Sequence, residues 1–381
     1  MTRHLYNEDQ TALRETVRRF VATEVMPAAT NIDRSDRFPA ELYRHMAELG
    51  LFGVCLPEEA GGAGLNPVSA CMVIEEIACG SGSLANCFAL PVEAALFLHE
   101  HGTAAQQALI PGILDGSLLP ASCVSEPDHG SDVAGMRSLA VRDGDDYVIN
   151  GTKAWVTFGA IADFYTVFAK TSHEPGHGNI TCFLVEGDRP GIGRGKVEDL
   201  LGMHGLEDCQ VTFQDVRVPE ANIIGLRDNA FRMAMKNFNF SRLLMASMAI
   251  GMAQAALEDA QAYARSRKQF GVPILSFQAI QFMLADMSTE IAAARLLVHH
   301  AAKMHGAGHS IAREAAHAKL FATDMANRCA TNALQIHGGN GYSREYRIER
   351  IFRDVRLSQI YEGTNQIQRL IIARDLERNG A

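Results

Sequence analysis

Glu362 stands in the run Ile360-Tyr-Glu-Gly-Thr-Asn-Gln-Ile-Gln-Arg369, just before an expected helix start and beside Gly363, which leaves backbone amides uncovered. A carboxylate next to free N–H donors suits removal of a proton adjacent to a carbonyl. The acid takes the proton while the amides hold the oxygen that gains charge. An acidic residue simply favoured at a helix N-terminus reads the same way.

Four further runs carry polar or aromatic groups at usable spacing. Ser122-Cys-Val-Ser-Glu-Pro-Asp-His-Gly-Ser-Asp132 is dense in hydroxyls and amides, a composition that grips phosphate or a heterocycle edge, or serves as a polar turn between domains. Gly151-Thr-Lys-Ala-Trp-Val-Thr157 holds the single tryptophan, and strand alternation sets Trp155 and Thr157 on one face. Arg267-Lys-Gln-Phe-Gly-Val-Pro-Ile-Leu-Ser-Phe-Gln278 offers a guanidinium fork fit for a pyrophosphate, or a solvated helix end. Gln335-Ile-His-Gly-Gly-Asn-Gly341 lets another molecule approach the backbone, as would a plain helix terminus. His299, His300, His305 and His309 lie close in sequence, but Gly306 and Gly308 break the helix that would align them, so solvated histidines and no metal site are expected. The triplet Gly191-x-Gly193-x-Gly195 reads as a loop, and neither a Gly-x-Ser-x-Gly elbow nor a Gly-x-x-x-x-Gly-Lys loop occurs.

The elements that must position these runs change twice along the chain. Asn7 and Gln10 form a capping pair ahead of Leu13, Val17 and Phe20 at helical spacing, and helical patterns continue over 41–51, 69–78 and 84–100. Residues 1–119 thus form an all-α N-terminal domain. From 120 to 228 the texture is β: an Asp-Gly turn within Val141–Ile149, a hairpin at Asn150-Gly151, and β-rich runs at Phe164–Lys170, Ile180–Val185 and Cys209–Val218. This middle domain reads as antiparallel. Residues 229–381 return to long helices, with Leu284, Met287, Ile291, Ala294 and Val298 on one face, as in a bundle. The class is α+β with segregated layers, and no doubly wound nucleotide fold is expected.

Composition fits an enzyme of two or three folding units: 381 residues, 47% hydrophobic and 21% charged. A net charge of −9 opposes nucleic acid and anionic membranes. Uncharged stretches fall short of the roughly 18 residues that span a bilayer, and Met1–Asp9 lacks an apolar signal core, so a cytoplasmic location without membrane insertion is expected. The 8 cysteines stand singly, without Cys-x-x-Cys, and read as buried reduced thiols.

Taken in order, the five motifs resemble the acyl-CoA dehydrogenase flavoprotein family from the first helix to Arg369. The resemblance implies a helical N-terminal domain, a middle β domain and a C-terminal four-helix bundle. It implies noncovalent FAD held by Ser122, Cys123, Val124, Ser125, Gly130 and Ser131, with Trp155 and Val156 against the ring, Thr157 near flavin N5, and Thr364 and Gln366 close by. Arg267, Phe270, Gln278, Gln335, Gly338 and Gly339 of an adjacent subunit would hold the pyrophosphate and adenosine half, which implies a homotetramer built as a dimer of dimers. Ser131, Asn239, Arg242 and Gly363 would contact the acyl-CoA substrate, Glu362 would be the base, and an electron-transfer flavoprotein would take the electrons. Some members carry the base just before the bundle arginine; here that position is Ser241, which leaves Glu362 as sole candidate. Ser125 replaces a common Thr, Phe158 a common Asn, and Asn239 a common Asp near the CoA end, so a carrier-protein thioester stays open beside CoA.

Energetics require more than the carboxylate. The α-proton of a thioester is roughly 15 pKa units less acidic than a Glu at about 4.3, a gap of about 20 kcal/mol. A general base supplies roughly 10²- to 10⁴-fold, or about 3 to 5 kcal/mol. Hydrogen bonds to the carbonyl, burial, and departure of the β-hydride to flavin are the remaining sources. The expected reaction is α,β-dehydrogenation to a trans-2-enoyl thioester; a flavin oxidase or monooxygenase and a non-catalytic helical module are the competing readings.

Overall fold

The computed structural model describes residues 5–174 and 176–380; the first four residues of the N-terminal stretch read above lie outside these. Helix α1 (Glu8–Phe20) starts where expected, with Asn7 accepting from the Gln10 amide and the Gln10 side chain returning to Asn7. It continues through a wider turn into α2 (Met26–Ser35), which stops at Asp36 in a left-handed conformation. α3 (Ala40–Glu48) leads to α4 (Pro67–Gly80), whose Pro67 occupies a first-turn position that needs no N–H. α4 is buried around most of its circumference because α1, α5 (Gly82–His101) and the long α8 (Ala230–Ser266) all pack on it. Two short helices, α6 (Ala104–Gln107) and α7 (Ile110–Leu114), close this helical part.

The middle sheet runs β6-β7-β3-β2-β4-β5-β8, with β1 (Pro120–Cys123) beside β4 (Phe164–Lys170). The others are β2 (Leu139–Asp143), β3 (Asp146–Val156), β5 (Ile180–Glu186), β6 (Ile192–Val197), β7 (Cys209–Pro219) and β8 (Ile223–Ile224). Pairing is antiparallel except for β1 with β4 and a single parallel bridge between Leu139 and Lys170. The Asp143-Gly144 turn forms the expected β2–β3 hairpin. Asn150-Gly151, however, makes no hairpin: β3 passes straight through it with a register shift against β7. Gly151 is there for space, since a Cβ would fall 2.2 Å from the Ser138 hydroxyl. Gly193 and Gly195 likewise lie in β6 and not in a loop; a Cβ on Gly193 would meet Thr212 Oγ1 at 2.3 Å.

The last part packs α8 against α9 (Gln278–Gly306) and α10 (Ala312–His337), while α11 (Ile348–Leu357) and α12 (Asn365–Asn379) lie on α10. Leu284, Met287, Ile291, Ala294 and Val298 are all buried along α9. Between α8 and α9 a small hairpin pairs β9 (Lys268–Gln269) with β10 (Val272–Pro273). Contrary to the solvated reading, His299 is buried; burial and the Arg295 charge bring its imidazole down to about 4. α5 and α8 are long and apolar enough to cross a membrane, yet 72% and 89% of their apolar windows are buried inside the protein. Every cysteine is a free thiol, with Cys55 and Cys79 only partly buried.

Candidate active site

The expected residues gather in three places. The first lies where α5, α8, α10 and the turn before α12 meet. Glu362 and Gly363 take consecutive left-handed conformations, φ 53° and 81°, a strain of about 1–3 kcal/mol at the glutamate. The turn is held from beneath: Gln368 Nε2 donates to the Glu362 and Gly363 carbonyls at 3.2 and 2.7 Å, and Lys319 Nζ donates to the Gly363 carbonyl at 2.9 Å. Asn365, also bound by Lys319, anchors the next residue by donating to Thr323 and Asp324 of α10. Thr364 caps α12 by accepting from the Ile367 amide. The carbonyls are thus taken up, whereas the amides of Glu362, Gly363 and Thr364 donate to no other group among the described residues. Free amides beside a carboxylate are what an oxyanion would require.

Glu362 is enclosed by protein, and its Oε2 is buried without a partner. Burial raises its carboxyl above the usual range, while the charges of Arg242 and Lys319 oppose the rise. Arg242 is itself buried, with Nη1 on Asn239 Oδ1 at 2.7 Å and Nε 3.5 Å from the Glu362 carbonyl.

Sequence reasoning left Glu362 as the sole candidate base, and the structure brings to the same site a second carboxyl that the sequence reading did not single out. Glu93 of α5 is hydrogen-bonded by Ser241, the position that carries the base in some family members, and the Glu362 charge reaches it. It is surrounded by protein yet keeps some accessible surface, as a residue lining a cleft does. Burial, then the Glu362 charge, push the Glu93 carboxyl well above its ordinary value with no cation opposing, whereas at Glu362 Arg242 and Lys319 oppose the rise. The missed signal was a lone acid on an otherwise apolar helix face. Lys319 was missed for the same reason.

The second place joins the Ser122–Asp132 loop to β3. The Ala154 amide donates to the Ser125 carbonyl, and the fully buried Lys153 reaches both the Val124 carbonyl and Glu126 Oε1, at 3.1 and 2.9 Å. Burial alone would raise Glu126, but Lys153 and the Arg137 and Ser138 donors hold its carboxyl down to about 2. Above this buried pair Ser122, Gly130 and Ser131 are exposed, Ser125 is half-buried, and Val156 is buried. Cys123 is also buried, its thiol pushed up to about 12 by burial, so only its backbone can serve a ligand. Trp155 is no core tryptophan: it sits at φ 58° with 64% of its surface exposed. Thr157 donates to Asp208 Oδ1 at 2.8 Å, and burial raises the Asp208 carboxyl to about 6.

The third place is one end of the helical bundle. Arg267 caps α8 one turn after Tyr263, whose ring stacks on His337 at 4.4 Å and whose hydroxyl accepts from Asn340 at 3.0 Å. Arg267 and the Gln335–Gly339 segment therefore share this end, and Gly338 and Gly339 face open space. Phe270, at the tip of the β9–β10 hairpin, is 93% exposed; Gln278 opens α9, and Gln366 is exposed on α12. No group of acids, histidines and cysteines among the described residues is arranged to hold a metal.

Three family models match the chain: Acyl-CoA dehydrogenase N-terminal domain over residues 7–117, middle domain over 121–216, and C-terminal domain over 229–377. Acyl-CoA dehydrogenase of Bacillus subtilis is 40% identical over 371 residues, 97% of this chain and 98% of that protein. Cyclohexane-1-carbonyl-CoA dehydrogenase of Geobacter metallireducens is 39% identical over 378 residues, 98% of this chain and 99% of that one. The structure of butyryl-CoA dehydrogenase from Megasphaera elsdenii is similar with a TM-score of 0.95 at 36% identity, covering 98% of this chain and 99% of that chain.

Proposed function

The chain belongs to the acyl-CoA dehydrogenase family and is an oxidoreductase acting on acyl-CoA, and from that premise we propose that it removes the α-proton and β-hydride of a saturated acyl-CoA to give the trans-2-enoyl thioester. The observation that carries this reading is the enclosed Glu362 carboxylate with an unpartnered oxygen, set on a strained turn whose amides are free.

The donor set fits FAD. An exposed indole at Trp155, the Thr157 hydroxyl, and the loop of Ser122, Cys123, Val124, Ser125, Gly130 and Ser131 form a surface for a flat heterocycle. Arg267, Phe270, Gln278, Gln335, Gly338 and Gly339, at the bundle end, offer a cation, an apolar ring and open backbone to the dinucleotide half bound by a neighbouring subunit. Thr364 and Gln366 lie beside the Glu362 turn. FAD bound there would accept the hydride. An electron-transfer flavoprotein is the acceptor we infer, and a homotetramer in the cytoplasm is the working state; the free thiols fit a reducing compartment.

On substrate binding, the Glu362 amide donates to the thioester carbonyl and so acidifies the adjacent carbon. Arg242 and Asn239, held to each other, orient the thioester arm, with Ser131 and Gly363 along its path. Glu362 then takes the α-proton. Its raised pKa brings the carboxylate nearer to the strength the task demands, while Arg242 and Lys319 favour its charged form. The buried surroundings exclude water, which strengthens each of these interactions.

Anaerobic titration of the flavin-loaded protein with a panel of acyl-CoA thioesters tests the reading. Loss of the oxidised flavin absorbance with at least one thioester is expected. Absence of bleaching across short, branched, aromatic and carboxylated acyl groups would refute it, and substrate-dependent peroxide release or oxygen insertion would favour the oxidase or monooxygenase alternative.

A further inference from the structure

Lys319 is the buried titratable group to which this chemistry assigns no task. It lies on α10 with 0% of its surface exposed, and both of its hydrogen-bond acceptors, the Gly363 carbonyl and Asn365 Oδ1, are neutral. An ammonium buried without an anion directly on it is unfavourable, so packing gives no reason for a lysine at this position. A neutral donor of similar reach would tie the turn equally well. What the ammonium adds is charge, and the groups facing that charge are Glu362 and Asp324, which favour it, and Arg242 of α8, which opposes it.

The carboxylate of Glu362 meets the same field with the sign reversed. Arg242 and Lys319 favour its ionised form, against burial, while Glu93 of α5 lies on the same site as a competing acid and the Tyr361 hydroxyl is buried beside it without a partner. Resting on the reading of Glu362 as base, we propose that Lys319 is a positioning residue that places a buried cation one residue from Glu362, favouring its carboxylate, and that fixes the left-handed Glu362-Gly363 turn through its bond to Gly363. Burial brings the Lys319 ammonium down to about 7, with the Glu362 charge acting to retain its proton, so the two groups exchange influence within the working pH range. Lys319, bonded to the Gly363 carbonyl and Asn365, acts through the base and the turn.

Lys319→Gln keeps a donor for the two acceptors and removes the charge, whereas Lys319→Arg keeps the charge. In the flavin-loaded enzyme, Lys319→Gln is expected to retain flavin and KM but to move the acidic limb of kcat/KM upward by about one to two pH units, as a unit charge several ångströms away would in a partly screened interior. Lys319→Arg should return the limb toward its original position. Infrared titration of the Glu362 carboxyl in resting protein, with Glu362→Gln as the blank, should shift by the same amount. An unmoved limb and an unmoved carboxyl titration in Lys319→Gln overturn the proposal while leaving the dehydrogenase reading intact; failure of the wild-type enzyme to bleach with any thioester overturns that reading instead. Should Lys319→Gln not fold, the wild-type protein decides: its Glu362 carboxylate band should shift near pH 7 as Lys319 loses its proton, and a band that stays fixed overturns the assignment.

Discussion

Two carboxyls, Glu362 and Glu93, act on one site, and burial raises both. Arg242 and Lys319 face Glu362, whereas Glu93 has no cation among the groups that move it, only burial, Glu362 and the Ser241 hydroxyl. The consequence is a division of labour that substitution can read. Glu362→Gln should lower flavin bleaching by roughly 10²- to 10⁴-fold, the usual contribution of a general base, with flavin still bound. Glu93→Gln keeps the shape of the side chain, removes the second acid, and should leave neutral-pH bleaching within about threefold. Stopped-flow absorbance measures both, and the reverse pattern would move the base to Glu93. Glu362 was legible in sequence because its glycine, its helix cap and its acid are neighbours in the chain. Glu93 and Lys319 were not, since each is a single polar residue inside a helical period and meets Glu362 only once α5 and α10 have packed.

Loops and strands hold the groups proposed to face the flavin by a different device, a buried ion pair under a polar loop. Lys153 projects from β3 into the loop and meets Glu126, which also accepts from the Arg137 and Ser138 amides at 2.6 and 2.9 Å. Lys153→Met would strand an ionised carboxylate, and urea denaturation should show a loss of about 3–5 kcal/mol. A loss under about 1 kcal/mol would mean the loop is organised by something else. Asp208 supplies a second test at this level. Its folded carboxyl titrates at about 6, above its unfolded value, so the stability it contributes is full below about pH 4 and is lost as pH rises through 6. Asp208→Asn should therefore raise the unfolding free energy at pH 7, by an amount on the order of 2–3 kcal/mol at most, seen as a higher thermal midpoint, and flatten the pH dependence between about 4 and 6. Asp354 also titrates at about 6 and remains in the variant, so part of the slope persists. Local patterns predicted most elements here, because capping and periodicity are near-neighbour effects. They failed at Asn150-Gly151, where a turn signal was overruled by the close approach of Ser138, the residue before β2, a contact made only when the sheet assembles.

Across the whole molecule, the groups expected around one dinucleotide lie in separate places: Trp155 and the Ser122–Asp132 loop on the sheet, Arg267 and Gly338-Gly339 at the bundle end. That end also exposes apolar rings, with Phe270 93% and Tyr342 87% accessible. Exposed aromatic rings flanking a cation are costly for an isolated chain and suit an interface whose core excludes water. If a neighbouring subunit completes the cofactor site, assembly and flavin content must be linked. Phe270→Asp should lower the mass in sedimentation and the bound flavin together. Arg267→Gln separates the two effects: it should leave the assembly intact and weaken flavin binding by roughly 10- to 100-fold, the worth of a charge-assisted hydrogen bond to a phosphate. A monomeric Phe270→Asp protein with undiminished flavin would place the whole cofactor on one chain, and the exposed bundle end would then have to serve another purpose.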